Sequence, residues 1–287
     1  MKNGNHNSET ETLSLGFSPC PNDTFIFHAL VHNIIKAGNL AFNERLEDVE
    51  TLNQLALSKE LDVTKVSSHM VGHLLNDYCL LTSGGALGRG CGPLLISKKN
   101  YDQKSLQKGK IAVPGKYTTA CLLLRLFNPE LKNLVFIPFD KIMPAIQSEE
   151  VSAGVIIHES RFTYQNLGLV KIVDLGEWWE NYSGLPIPLG GIVAKRSLGE
   201  ETIHTINRGI QESISYAFNN PEASKSYIRS HSQEMSEDVC NSHIGLYVNQ
   251  FSKELGDEGK KAVEMLLEKA FEYGIIPAYN RHNIFSE

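Results

Sequence analysis

The chain has 287 residues, which suits two domains of roughly 100–200 residues each better than one. Hydrophobic residues make up 41% of the chain and charged residues 21%, so there is enough apolar material for substantial cores. The net charge of −6 includes no basic excess that would draw the chain to nucleic acid or to an anionic membrane. Neither of these partners is therefore expected.

Five cysteines are present, an odd number, and no pair of them has C-x-x-C spacing. This pattern argues against a disulfide framework or a zinc site and favours a reducing compartment. The N-terminal sequence lacks the apolar segment of a secretory signal, and the apolar runs are too short to cross a bilayer. We therefore expect a cytoplasmic protein.

The first elements of the chain are a strand and two helices. Leu13–Phe17 has the pattern of a buried strand and runs into a proline-rich turn. Asn22 or Asp23 is expected to cap the first helix, because short polar side chains accept hydrogen bonds from free N–H groups there. A second helix is predicted from Asp48.

The middle of the chain continues this alternation. Asp62–Val66 is predicted to be a short strand, after which Ser67 can cap a helix, and residues 84–92 are a glycine-rich loop. Further strands are predicted over Pro93–Ile96, Lys110–Val113, Leu134–Ile137, Ala153–Ile157 and Leu189–Ala194. Beyond residue 200 the apolar residues recur at spacings of three and four, which predicts helices only.

Strands that alternate with helices predict parallel sheets packed between helices. Ligands of such sheets bind beyond the carboxyl ends of the strands. The polar segments that directly follow strands are therefore the candidate site, namely Ser18–Asp23, Ser67, Pro114–Thr119 and His158–Arg161.

His158 follows an apolar strand and opens a polar run. An imidazole titrates near neutral pH, which suits a general base. A histidine that merely caps the end of a strand would give the same pattern, so the residues alone leave both interpretations open.

Thr118, Thr119 and Ala120 open a helix after a Pro-Gly turn. Free N–H groups and threonine hydroxyls at a helix start can bind an anion, although ordinary N-capping explains the same residues. Ser67 has the same kind of position.

The loop at 84–92 does not fit a nucleotide fingerprint, since G-x-G-x-x-G would need glycine at Pro93. Its glycines suit tight turns and close backbone approach to a ligand or to the other lobe.

Five motifs, in order along the chain, together resemble the 1,4-dihydroxy-6-naphthoate synthases of the futalosine route to menaquinone. They are SPCPNDTF (18–25), EDVETLN (47–53), SGGALGRG (83–90), TTA (118–120) and HESRFTY (158–164). The resemblance runs from residue 13 to the C-terminal helices.

The resemblance implies a periplasmic-binding-protein-like α/β fold of type II, with two lobes, a cleft and two hinge strands. One lobe would combine residues 1–97 with 195–287, and the other would contain residues 98–194. The hinge strands would be Pro93–Ser97 and Leu189–Lys195.

The resemblance also implies a carbon–carbon lyase that needs no metal or organic cofactor. Such an enzyme splits cyclic de-hypoxanthinylfutalosine into 1,4-dihydroxy-6-naphthoate and dihydroxyacetone. The family's proton acceptor corresponds to His158. Its substrate contacts correspond to Lys65, Val66, Ser67, Thr119 and Ala120.

Two other functions stay open at this point. The fold would equally suit a non-catalytic solute-binding protein of a transporter, against which the missing signal peptide and lipid-anchor cysteine argue. A chorismate dehydratase of the same route would bind a smaller dicarboxylate, but HESRFTY and SPCPNDTF favour the synthase. The expected partner is a small carboxylate substrate, and the oligomeric state, with a homodimer among the options, stays open.

Overall fold

The computed structural model of the protein describes residues 10–101, 103–158, 160–232 and 236–286. Its strands are β1 (Glu11–Phe17), β2 (Leu40–Leu46), β3 (Val63–Ser67), β4 (Tyr78–Leu80), β5 (Ala86–Gly88), β6 (Leu94–Ser97), β7 (Ile111–Val113), β8 (Leu134–Phe136), β9 (Ala153–Ile156), β10 (Val170–Asp174) and β11 (Ile187–Lys195).

The α-helices fill the connections between strands and form the C-terminal region. They are α1 (Pro21–Val31), α2 (Val49–Leu57), α3 (Ser68–Leu74), α4 (Gln103–Lys108), α5 (Thr119–Phe127), α6 (Phe139–Gln147), α7 (Ser160–Thr163), α8 (Leu175–Ser183), α9 (Glu200–Asn219), α10 (Lys225–His231), α11 (Glu237–Tyr247), α12 (Gln250–Lys253) and α13 (Gly256–Glu272). Within the described ranges, no helix combines the length and the apolar character needed to cross a membrane.

Two sheets organise the chain. The first has the order β2-β1-β3-β11-β4, with β5 also paired to β11. Its strands β1, β2 and β3 are parallel, whereas β11 runs antiparallel to β3, β4 and β5. The second has the order β10-β6-β9-β7-β8, with β7 parallel to β8 and β9. We call the elements built on these sheets the first and the second lobe.

The chain crosses between the lobes twice. Strands β1 to β5 belong to the first sheet, β6 to β10 to the second, and β11 returns to the first. The predicted two-lobed α/β fold is thus confirmed. Of the two predicted hinge strands, β6 pairs inside the second sheet and β11 inside the first. The lobe bounds of 1–97 with 195–287, and of 98–194, stay a prediction.

Apolar residues unite the two lobes below the cleft. One cluster under the first sheet contains Leu15 and Phe17 of β1 with Ile206 and Ile210 of α9. The largest cluster joins both lobes through α3, α5, α8 and α13, and Trp179 is completely buried within it. Burial at this depth stabilises a large side chain by about 2–3 kcal/mol, so the base of the cleft is firmly packed.

The start of α1 differs from the prediction. The helix begins at Pro21 with Cys20 as its N-cap residue, and no side chain caps it. Proline suits the first helical position because its missing N–H would have no partner there anyway. Asp23 therefore lies inside the helix, and its carboxylate accepts hydrogen bonds from the backbone and hydroxyl of Ser18 instead. The predicted cap at Asn22 or Asp23 was wrong, whereas Asp48 does cap α2.

The glycine-rich loop packs against the second lobe. A Cβ atom added at Gly92 would overlap the backbone of Gly176 in α8. Arg161 of the second lobe donates to the carbonyl of Gly92, and its guanidinium also lies 2.7 Å from Asp174 Oδ2. The prediction that these glycines permit close backbone approach is confirmed at Gly92.

Candidate active site

A cavity of about 730 Å³, counting its open mouth, lies between the two sheets. All six residues predicted for the site line it: Lys65, Val66, Ser67, Thr119, Ala120 and His158. The first three come from the end of β3 in the first lobe. The other three follow β7 and β9 of the second lobe, so the cavity joins segments that lie far apart in the sequence.

His158 has a left-handed backbone conformation directly after β9, with φ +55°. That conformation costs a residue other than glycine roughly 1–3 kcal/mol and is concentrated at functional sites. The thiol sulfur of Cys20 lies 3.7 Å from its Nδ1 atom, and Phe139 meets the ring edge-on at 5.1 Å. The imidazole is thus held by aromatic and sulfur contacts from both lobes.

His243 of α11 stacks on His158 with ring centroids 5.9 Å apart and an angle of 12° between the planes. Its Nε2 atom lies 2.9 Å from Asn22 Oδ1, while its Nδ1 has no hydrogen-bond partner among the described residues. Burial, assisted by the nearby His158, lowers the pKa of His243 to about 3. The His243 ring is therefore neutral at neutral pH. Its proton is on Nε2, which donates a hydrogen bond to Asn22 Oδ1.

Lys65 is part of a buried polar chain. Its ammonium lies 3.3 Å from Asp23 Oδ1 and donates to the carbonyl of Gly84 at 2.7 Å. The side chains of Lys65 and Asp23 are 7% and 3% exposed, so the two charges depend on each other. Asn22 donates to the same carboxylate oxygen at 2.8 Å and thereby links Lys65 to His243. We call Asn22, Asp23, Lys65 and His243 the Asp23 network.

Ser67 is the N-cap residue of α3, but its side chain does not cap the helix. Its backbone N–H donates to Asn53 Oδ1 at 2.9 Å, and its hydroxyl accepts from Asn53 Nδ2 at 3.1 Å. The expected side-chain cap was therefore wrong, and the hydroxyl of Ser67 is instead bound by a buried asparagine of α2. Asn53 fixes both polar groups of Ser67 at the wall of the cavity.

The two threonines at the start of α5 have different partners. Thr118 caps the helix, since its hydroxyl accepts from the N–H of Cys121 at 3.2 Å. The hydroxyl of Thr119 donates to the carbonyl of Leu189 at 2.6 Å, which ties α5 to β11 of the first lobe. Thr118 thus caps the helix and Thr119 bridges the lobes, and both threonines line the cavity.

Arg89 of the SGGALGRG motif and Arg161 of the HESRFTY motif do not line the cavity. Arg161 is bound to Asp174, and Arg89 to Glu258 at 3.0 Å. Glu159 lies outside the described residues. Among the residues that are described, no group of three or more histidine, cysteine or acidic side chains is arranged to hold a metal ion.

Several residues of the site were missed by sequence reasoning. His243 stands in a helix with no motif around it, and no signal in the sequence relates it to His158. Asn22 and Asp23 lie in the candidate segment Ser18–Asp23, but they were predicted only as helix caps, and Asn53 lies in the motif EDVETLN. Their position in these motifs was the available signal.

Two sheets, two crossings of the chain and a polar cavity between the lobes define the class of the periplasmic-binding-protein-like folds. The alkanesulfonate-binding protein of Xanthomonas axonopodis matches this fold with a TM-score of 0.70 at 11% identity, over 97% of both chains. A protein of Archaeoglobus fulgidus matches with a TM-score of 0.85 at 34% identity, over 92% of this chain and 98% of its own.

The chain belongs to the menaquinone biosynthesis family, whose model matches residues 13–272. It is 44% identical over 273 residues to the 1,4-dihydroxy-6-naphthoate synthase of Streptomyces coelicolor, covering 93% of this chain and 96% of the relative. It is 46% identical over 265 residues to the synthase of Thermus thermophilus, covering 92% and 96%. The resemblance drawn from the five motifs is confirmed.

Proposed function

We propose that this protein is an enzyme of menaquinone synthesis, a carbon–carbon lyase that converts cyclic de-hypoxanthinylfutalosine to 1,4-dihydroxy-6-naphthoate and dihydroxyacetone. The names of its relatives support an enzyme of menaquinone synthesis. The observation that carries the finer proposal is that His158 and both predicted substrate-binding segments line one cavity between the lobes. The proposal includes the cytoplasmic location expected from the sequence and the reaction without a cofactor that the resemblance implies.

In the proposed reaction His158 accepts a proton from the substrate. The electron pair left on the substrate then forms a new π bond as the carbon–carbon bond to the three-carbon fragment breaks. The pair of the broken bond stays on one of the two products, which takes up the proton held by His158 and so regenerates the base. Aromatisation of the new ring drives the product forward. A positioned general base contributes roughly 10²–10⁴-fold to such a step. Because His243 is neutral, it adds no charge to repel the imidazolium that forms on His158.

The remaining cavity residues bind the substrate in this proposal. The N–H groups at the start of α5, beside Thr119 and Ala120, suit the substrate carboxylate, because a helix start favours negative charge. Ser67 faces the substrate from the first lobe. The ammonium of Lys65 is already paired with Asp23, so Lys65 lines the cavity as one half of an ion pair rather than as a free cation.

The decisive assay incubates the purified protein with the cyclic substrate and follows the absorbance of the naphthoate. We expect His158→Ala to lower kcat at least about 100-fold, since it removes the general base. His204→Ala, which removes an exposed histidine outside the cavity, is the matched control.

Three results would count against parts of this proposal. Full activity of His158→Ala would refute the role of His158. Turnover of chorismate by the wild-type protein would favour the dehydratase. Tight binding of a small carboxylate without any turnover would favour a solute-binding protein.

A further inference from the structure

Glu50, in the EDVETLN motif, lies where the two lobes touch. It belongs to α2 of the first lobe, and its carboxylate accepts hydrogen bonds from two backbone N–H groups of the second lobe. Lys116 N lies 3.1 Å from Oε1, and Tyr117 N lies 3.1 Å from Oε2. Both donors belong to the loop between β7 and α5, so these bonds cross the cleft.

The same carboxylate is joined to the first lobe's side of the cavity. Asn53, one helical turn after Glu50, donates from Nδ2 to Glu50 Oε2 at 3.2 Å. That amide also holds the hydroxyl and the backbone N–H of Ser67. Because Asn53 is completely buried, water does not compete for these bonds in the folded protein. Ser67 therefore depends on Glu50 through a single intermediate residue.

On the second lobe's side, the loop leads directly to the cavity. It ends at Thr118, which caps α5, and the next two residues line the cavity. Gly115 at the start of this loop leaves just enough room for the carboxylate. An added Cβ there would lie 2.5 Å from Glu50 Oε2 and would push it away from the N–H groups.

We propose that Glu50 is a positioning residue that holds the lobes closed and fixes Ser67 and Thr119 at the distance across the cavity that the substrate requires. Glu50 itself does not line the cavity and touches no substrate. The hydrogen bonds from the loop to Glu50 are argued from the contacts alone, and only the consequence for turnover rests on the proposed function.

The direct test measures hydrogen exchange of the Lys116 and Tyr117 amides, residue by residue, in the full-length protein. Glu50→Gln keeps the shape of the side chain but removes its charge and one acceptor oxygen. Gly115→Ala displaces the carboxylate without altering it. Glu60→Gln makes the same chemical change at an exposed position of the first lobe and is the matched control.

We expect exchange at both amides to become about tenfold faster in Glu50→Gln and Gly115→Ala and to stay unchanged in Glu60→Gln, since a hydrogen bond to a carboxylate is stronger than one to a neutral group. The faster exchange should be confined to the loop and the start of α5. Unchanged exchange at both amides in the two folded variants would overturn the proposal, as would an equal rise throughout α2 and the sheets.

A second readout uses the cyclic substrate. Both variants should lower kcat/KM about tenfold without changing the shape of its pH profile, because His158 is untouched. A shifted pH profile would overturn the positioning role. If the wild-type protein fails to turn the substrate over, the proposed function fails, and the exchange measurement alone decides the role of Glu50.

Discussion

Two polar networks border the cavity, and they differ in where their members lie. The Asp23 network is built from first-lobe elements, and its charges are almost completely buried. The Glu50 contacts instead join a half-buried carboxylate of the first lobe to backbone N–H groups of the second. The first arrangement lies within one lobe, so it does not depend on how the lobes sit against each other, whereas the second joins the two lobes. The Asp23 network should therefore govern stability, and Glu50 the geometry of the site.

The largest expected effect comes from breaking the Asp23 network. Asp23→Ala leaves the buried ammonium of Lys65 without its carboxylate, and loss of one partner of a buried pair costs about 3–5 kcal/mol. Urea denaturation measures this loss in the free energy of unfolding. Asp77→Ala, which breaks an exposed pair with Lys59, should cost less than about 1 kcal/mol. Equal losses in the two variants would contradict the contrast between buried and exposed pairs.

An intermediate effect concerns pH. Burial lowers the pKa of His69 and of His243 to about 3, from the ordinary histidine value of about 6.5. Between those two pH values the unfolded chain binds more protons than the folded one, so stability rises with pH and is lost as the pH falls below 6.5. Each histidine should contribute up to about 1.4 kcal/mol per pH unit in this window.

This prediction can be checked by urea denaturation at several pH values between 5 and 7.5. His243→Phe keeps an aromatic ring beside His158 and should make the dependence on pH shallower. His204→Phe removes a ring that is already exposed in the folded protein and should leave the slope unchanged. Parallel curves for the wild type and His243→Phe would show that His243 does not titrate as proposed.

The smallest effect concerns the loop that Glu50 holds. Thr118→Ala removes the cap of α5 and should lower the free energy of unfolding by about 1 kcal/mol. Thr118→Ser retains a hydroxyl and should restore most of that loss. Failure of the serine variant to do so would mean that the methyl group, rather than the cap, carries the effect.

Sequence reasoning succeeded where the determinants are local. The strand before His158 was predicted as Ala153–Ile157 and observed as Ala153–Ile156, because an apolar run that ends in polar residues is visible within a few positions. The helix predicted from Asp48 is observed as Val49–Leu57 for the same reason. Strand β2 was missed, because its middle residues Asn43, Glu44 and Arg45 are exposed at the edge of the sheet and are polar.

The parts that sequence reasoning missed depend on distant contacts. His243 meets His158 only because α11 packs beside α1, and Ser67 meets Asn53 only because α2 packs on β3. The bonds from Glu50 to Lys116 and Tyr117 join residues of different lobes, so no pattern within either segment predicts them. The six predicted site residues were found through motifs, and the structure places them together in one cavity.

The returning strand β11 has a consequence for synthesis of the chain. It lies between β3 and β4, which do not pair with each other, and it is also the partner of β5. The first sheet therefore lacks a central strand until residue 195 has left the ribosome. All five strands of the second sheet end by Asp174, so the second lobe is the unit that a nascent chain completes first. The half of the protein that begins at the N-terminus is thus the last to be finished.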